Sequence, residues 1–208
     1  QTAFYPGGGG QVPDKGYIQF DGKTANLVRA KNSPNGLLHI IAEEDALPEE
    51  GAEITGVIDW ERRYKVMRTH TAMHILCGTI FRDYGAQVTG GDMEPLKGHM
   101  DFEFESMTKE LVSVIEEAVN KEVTAARDLK VAILPREEAF KIPDLIRTKI
   151  NLLPKHIKEV RTVEIVGLDL QADGGTHVKN TSEVGKIHVV NYKSKGKINK
   201  RIYIELDD

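Results

Sequence analysis

His70 and His74, in the run Arg68-Thr-His70-Thr-Ala-Met-His74-Ile-Leu-Cys77, stand four residues apart. A helix carries such positions on one face, one turn above the other, so two imidazoles placed this way can hold one metal ion. Much further along, Gln171-Ala-Asp173-Gly174-Gly175-Thr176-His177-Val178 repeats the spacing of four between a carboxylate and a histidine. Two glycines between them free the backbone to turn. His70, His74, Asp173 and His177 together make a nitrogen-and-oxygen donor set suited to Zn2+, and three protein ligands with a water is the open, catalytic arrangement. The chemistry implied is hydrolysis. The zinc-protease pattern His-Glu-x-x-His is absent, because Thr71 follows the first histidine, and peptidase chemistry is disfavoured accordingly. Histidine pairs on helices are common without a metal; the Gly-Gly-Thr-His cluster is what lifts this pair above that ordinary case.

Preceding both motifs is a glycine-rich segment, Phe4-Tyr5-Pro6-Gly7-Gly8-Gly9-Gly10-Gln11-Val12-x-Asp14. In this order the three motifs resemble the freestanding alanyl-tRNA editing proteins of AlaX type, which are similar to the editing domain of alanyl-tRNA synthetase and more distantly to that of threonyl-tRNA synthetase. The resemblance covers essentially the whole chain. It implies a zinc-dependent hydrolase that removes serine or glycine from mischarged tRNA(Ala). The metal would sit at His70, His74 and His177, with Gly8, Gly9, Gly10, Gly174 and Gly175 shaping the substrate pocket, Gln11 available to hydrogen-bond the substrate and Thr176 as a nearby polar group. The chain departs from the family pattern at two positions. Asp173 stands where most relatives have cysteine and either ligates the metal or orients a water. Gly7 stands where a threonine is common, which removes a hydroxyl and makes substrate preference harder to read than reaction type.

Cys77 shares a helical face with the histidines, but positions 70 and 77 are separated by about 10.5 Å along a helix axis. Flanked by Ile75, Leu76 and Ile80, it reads as a small buried hydrophobe. As the only cysteine of the chain it excludes an internal disulfide, and the expected setting is reducing and cytoplasmic. The 208 residues are 40% hydrophobic and 29% charged, with no apolar run suited to a bilayer span or a signal peptide. Because the sequence starts at Gln1 and the glycine run follows almost at once, it is expected to be a truncated or partial version of a longer protein.

The elements that must position these groups follow from periodicity. Residues 1–59 read as a small β domain, with extended runs such as Gly16–Phe20 and Gly36–Ile41 between Asp-Gly, Ser-Pro-Asn-Gly and Leu-Pro turn signals. Residues 60–208 read as the zinc-binding editing domain. Tyr64 to Tyr84 is the metal helix, Gly85 to Gly98 a glycine-rich connection, and 100–105 a strand with Met100, Phe102 and Phe104 inward. A helix is predicted from Met107 to Arg127, its charged positions forming a solvated face. Extended segments follow at 130–134 and 160–166, with a helical turn after Pro135. Strands at 187–192 and 198–206 flank a hairpin with a basic tip. The fold class expected is α+β, with a mainly antiparallel sheet and a metal-bearing helix.

The net charge of −4 sits awkwardly with a tRNA partner, so the distribution of charge matters. Lys193, Lys195 and Lys197 (with Lys200 and Arg201) form one basic cluster, and Arg62 and Arg63 (with Lys65 and Arg68) another. Either can meet phosphates near the acceptor end of tRNA. No nucleotide cofactor is expected, because the glycine run lacks the Lys-Ser/Thr of a P-loop, and no membrane partner is expected. Zinc would serve as a water activator or as an anchor for the substrate amine. Two other functions fit the same residues: a tRNA-binding module without catalysis, and a zinc hydrolase of another small ester or amide. His39, His99, His156 and His188 have no partners at ligand spacing and read as structural or exposed.

Overall fold

Asp59 begins the helix on which both histidines ride. Its side chain accepts from the Arg62 amide at 3.1 Å, and helix α1 runs over Trp60–Tyr84, four residues earlier than periodicity alone suggests. Gly85 ends it in the left-handed conformation, φ 66°. The structure, a computed structural model, describes residues 2–150, 153 and 156–208. Every residue of α1 from Thr69 to Ile80 is buried. A helix enclosed on all sides must be packed from several directions; the sheets of the described residues form three groups, and the second and third of them pack on α1.

The first group is a sheet made from the N-terminal region: β1 (Gly16–Phe20), β2 (Lys23–Ser33), β3 (Gly36–Ile41) and β4 (Thr55–Ile58). The strands are ordered β3-β2-β1-β4, and every pairing is antiparallel. Its small apolar clusters centre on Phe4, Leu27 and Ala30 and on Ile18, Phe20 and Ala25. Just before it, Arg63 of α1 forms an ion pair with Asp14 and Arg62 donates to the Pro13 carbonyl at 2.8 Å. These contacts clamp the segment after the glycine run onto the helix.

The second is an antiparallel sheet ordered β10-β11-β6-β5, from β5 (Val88–Glu94), β6 (Lys97–Glu103), β10 (Ile187–Ser194) and β11 (Asn199–Leu206). It packs with α1 and helix α2 (Lys109–Thr124) around Phe102, Ile115, Val119, Ile202 and Ile204, all at most 1% exposed. Full burial of such side chains contributes roughly 1.5–3 kcal/mol each. The stretch expected as a glycine-rich connection, 85–98, is mostly β5 and the start of β6. A Cβ at Gly98 would lie 2.9 Å from Met73 Sδ, so this glycine serves the close approach of α1 to the sheet. Met100 and Phe102 lie on one side as expected, while Phe104 falls beyond the strand end. Glu122 is not on a solvated face: its side chain is 9% exposed and paired with Arg82 and Arg127.

The third is a sheet ordered β7-β8-β9, from β7 (Leu129–Pro135), β8 (Glu159–Ile165) and β9 (Asp169–Ala172), with the short helix α3 (Arg136–Ala139) after β7. It is antiparallel throughout. β9 delivers the chain directly into Asp173. The fold is mixed α+β with mainly antiparallel sheets, and no helix among the described residues is long and apolar enough to cross a membrane.

Candidate metal centre

Three elements bring the donors together: α1 supplies His70 and His74, the end of β9 supplies Asp173, and the loop after it supplies His177. One ligand atom from each of the four lies within 4.8 Å of the others, and among the described residues this is the only such group. The rings are close, with centroids 5.1 Å apart for His70 and His74, 4.1 Å for His70 and His177, and 4.7 Å for His74 and His177. Each histidine turns its Nε2 inward. Asp173 Oδ1 lies 3.4 Å from His70 Nε2 and 4.0 Å from His74 Nε2, while Oδ2 lies 3.0 Å from His177 Nε2.

The outward nitrogens meet three different groups. His70 Nδ1 lies 2.8 Å from Gln11 Oε1, and His177 Nδ1 lies 3.2 Å from Thr71 Oγ1, which also accepts from the Val178 amide. His74 Nδ1 is 3.4 Å from Asp169 Oδ2 but not aligned for a hydrogen bond, and it is otherwise unpartnered. Acceptors behind Nδ1 favour the tautomer with the proton there, which leaves the Nε2 lone pairs to face the centre. Asp173 is fixed as well. Its Oδ2 accepts from the Gly175 amide at 2.6 Å, and Arg161 Nη1 donates to its carbonyl at 2.9 Å and lies 3.6 Å from Oδ2. Oδ1 is therefore the oxygen left facing His70 and His74.

Electrostatics follow the same plan. Burial opposes ionisation of Asp173, yet the surrounding histidines, His70 foremost, hold its carboxyl far below the usual range. Burial, and then the neighbouring His70, push His177 well below its ordinary value; burial also lowers His70. Burial acts on His74 in the same direction, but the Asp169 and Asp173 carboxylates outweigh it and raise its pKa. The donor set, three imidazoles, two of them held toward the neutral form, and one carboxylate in a small buried cluster, fits a divalent transition ion such as Zn2+.

Asp169 is the residue that sequence reasoning missed. Its side chain is fully buried, bonded to Gln171 Nε2 at 2.6 Å and to Arg147 Nε at 3.1 Å. A Cβ at Gly78 of α1 would lie 2.8 Å from the Cβ of Asp169, so the one glycine inside α1 makes room for β9. Asp169, Gln171 and Asp173 stand at alternating positions, which was the available signal. Thr71, noted in the sequence only as the residue replacing a protease glutamate, braces His177.

His70 and His74 open on a cavity of about 630 Å³, lined among others by Tyr5, Gly8, Gly9, Gly10, Gly174 and Asp173. A larger groove of about 940 Å³ between α2 and β10 contains none of the four donors. Burial first, and then the Asp173 charge, raise the Tyr5 phenol to about 12, so it stays protonated at neutral pH and donates to the Gly8 carbonyl. Gln11 and Thr176 do not line this cavity; they bond to each other, Nε2 to Oγ1 at 2.9 Å. Of the basic residues, Lys193, Lys195 and Lys197 are exposed. Arg62 and Arg63 are turned onto Pro13 and Asp14, Arg68 onto the carbonyls of Val184 and Asp207, and Arg201 onto Asp101. Cys77 is 1% exposed and outside the donor group.

Comparison with known proteins adds five findings. Residues 160–203 match the family model described as the threonyl and alanyl tRNA synthetase second additional domain, and residues 1–62 match the class II (A) tRNA synthetase model. The chain is 41% identical over 207 residues to the alanyl-tRNA editing protein AlaX-M of Saccharolobus solfataricus, covering 98% of this chain and 85% of that protein. It is 35% identical to AlaX-M of Methanosarcina acetivorans over 100% of this chain and 87% of that one. To the alanine–tRNA ligase of Pyrobaculum neutrophilum it is 35% identical, with 91% of this chain aligned to 22% of the ligase.

Proposed function

This chain belongs to the AlaX family of alanyl-tRNA editing proteins, and on that premise we propose that it hydrolyses the ester of mischarged tRNA(Ala) in trans at a zinc site, with serine as the principal amino acid released and glycine as the second. The observation that carries this reading is the convergence of His70, His74, His177 and Asp173, of which His70, His74 and Asp173 line a cavity of about 630 Å³. A cavity in the range of about 300–1,000 Å³ typical of ligand pockets accommodates an aminoacyl group together with its ribose.

A zinc ion held by these four residues would act as a Lewis acid toward the ester carbonyl, the attacking water or the substrate amine. The chain does the rest. The glycines at 8–10 and 174 bring backbone rather than side chains to the pocket wall, and the apolar Met73, Val88, Met93 and Met100 that also line it limit bulk water. Gln11 and Thr176 position the wall instead of touching substrate. Asp173, ionised and aimed by Gly175 and Arg161, presents Oδ1 to the centre. The exposed Lys193, Lys195 and Lys197 are the residues we assign to tRNA phosphates near the acceptor end, in place of Arg62 and Arg63, whose guanidinium groups brace the glycine loop. The division at residue 59 into a glycine-motif β domain and an editing domain, and a cytoplasmic setting, belong to the same proposal.

The test is release of amino acid from Ser-tRNA(Ala), Gly-tRNA(Ala) and Ala-tRNA(Ala), before and after chelation. Chelator-sensitive release of serine or glycine with alanine spared supports the proposal. Tight tRNA binding by zinc-loaded protein that releases nothing would replace it with a binding module, and cleavage of small esters without tRNA affinity would replace it with a different hydrolase.

A further inference from the structure

Gln11 has little left to offer a substrate. It is 4% exposed, and its carbonyl oxygen is used twice, accepting from the Thr176 amide at 2.9 Å and facing His70 Nδ1 at 2.8 Å. An amide oxygen has two lone pairs, so it is saturated. The orientation of the carboxamide is fixed by its surroundings, because the Thr176 amide can only donate and would confront a second donor if the group were reversed. His70 must then carry its proton on Nδ1, with the Nε2 lone pair directed to Asp173 and the centre.

The same residue ends the glycine loop. Gly8 and Gln11 exchange two backbone hydrogen bonds of 3.0 Å, and Gly10 accepts from Met93 of β5 at 3.1 Å. Gln11 is thus joined at once to the pocket wall formed by Gly8, Gly9 and Gly10, to β5, and to a histidine 59 positions away. Thr176 is held by the same carboxamide through its amide and its hydroxyl.

We propose that Gln11 is a positioning residue that links the glycine loop to the metal centre: the loop sets the tautomer and tilt of His70, and an ion bound at the centre holds the loop in return. The proposal rests on the reading of the four donors as a metal site. Linkage is reciprocal for binding free energies, so a loop that helps the ion to bind must be stabilised by the ion to the same degree.

The experiment measures Zn2+ affinity by competition with a chromophoric chelator for the wild type and for Gln11→Met, Gln11→Glu and Thr176→Ala. It is paired with hydrogen exchange of residues 7–12 with and without Zn2+, and with melting of the metal-free proteins. Gln11→Met keeps the volume and removes the acceptor; a loss of about 10–100-fold in affinity is expected, as for other partners of metal-bound histidines. Gln11→Glu keeps an oxygen toward His70, and Thr176→Ala leaves the His70 contact intact, so both are expected within about threefold of the wild type. Zinc should slow exchange in the loop of the wild type and not in that of Gln11→Met. Wild-type affinity in Gln11→Met, equal losses in all three variants, or loop exchange indifferent to zinc would each overturn the proposal. Should Gln11→Met melt before it can be measured, the order of Gln11→Glu and Thr176→Ala relative to wild type decides, a large loss in Gln11→Glu at normal stability overturning it. A wild-type protein that binds no zinc would instead refute the metal reading itself.

Discussion

Replacing Gly175 by alanine separates the geometry of the centre from the stability of the fold. The backbone at Gly175 is not in the left-handed region, so alanine is acceptable there on conformational grounds. Space is the obstacle. An added Cβ would lie 2.1 Å from His70 Cε1, 2.4 Å from His70 Nδ1 and 2.6 Å from Gln11 Oε1. Carbon atoms pack at about 3.5–4.0 Å, so the imidazole must retreat by more than about 1 Å, against a tolerance of about 0.2 Å in metal–ligand distances. The shift also pulls His70 from the carbonyl that orients it. Losing the aim of a ligand and its partner together is expected to lower zinc affinity at least about 100-fold, equivalent to about 2.7 kcal/mol. The metal-free protein should lose only about 1–3 kcal/mol through overpacking. Gly174→Ala is the control, since nothing lies within 4 Å of a Cβ there, and its zinc affinity should match the wild type. The assay is chelator competition, with chemical unfolding of both variants in excess chelator. Zinc binding by Gly175→Ala equal to that of Gly174→Ala would refute the reasoning, because it would show that His70 does not occupy the position from which the centre was built.

Asp169→Asn tests the carboxylate behind His74: zinc affinity is expected to fall by about 10–100-fold, read by the same competition assay. Glu122→Gln tests the pair networks of α2. Burial opposes the charge on Glu122, but Arg82 and Arg127 hold its pKa below the usual value. A carboxyl depressed in the folded state contributes stability above its unfolded value of about 4.3 and loses it as pH falls through the folded value. Glu122→Gln is expected to cost about 2 kcal/mol at pH 7, less than the about 3–5 for a fully buried pair because Arg82 is 43% and Arg127 29% exposed. The difference from wild type in urea unfolding should shrink as the pH is lowered below about 4.

What could be read from the sequence was what is local. The spacing of His70 and His74 and the Gly-Gly-Thr-His turn single out, without any tertiary information, the candidate donors that the fold brings together, and the C-terminal hairpin shows in its alternation. β2 was not legible because a bulge between Leu27 and Arg29 shifts its inward positions from Ala25 and Leu27 to Ala30, breaking the period of two. β5 was hidden by Gly90 and Gly91, residues depleted from strands in general. The basic cluster at the start of α1 misled because charge in sequence carries no record of its partners: Asp14, Pro13, Val184 and Asp207 are remote from it along the chain. The role of Gln11 was invisible for the same reason, since only the fold places residue 11 behind residue 70.

The three histidines are not held alike, and the difference bears on how the centre would assemble. His70 has a saturated carbonyl behind it, and His177 has a hydroxyl from the same helix that carries the other two. His74 has a carboxylate nearby whose Oδ2 is engaged by Gln171 at 2.6 Å and whose Oδ1 is engaged by Arg147, so its Nδ1 is the one left without an aligned partner. A ring fixed by a hydrogen bond is set before an ion arrives; the His74 ring is held instead by its buried surroundings and by the Asp169 carboxylate 3.4 Å away. Asp173, tied through Oδ2 and its carbonyl, belongs with the fixed groups. Three donors are therefore preset by hydrogen bonds from the loop, the helix and the turn after β9, whereas His74 depends on burial and on the charge of Asp169 behind it, which is why Asp169→Asn is expected to weaken the site.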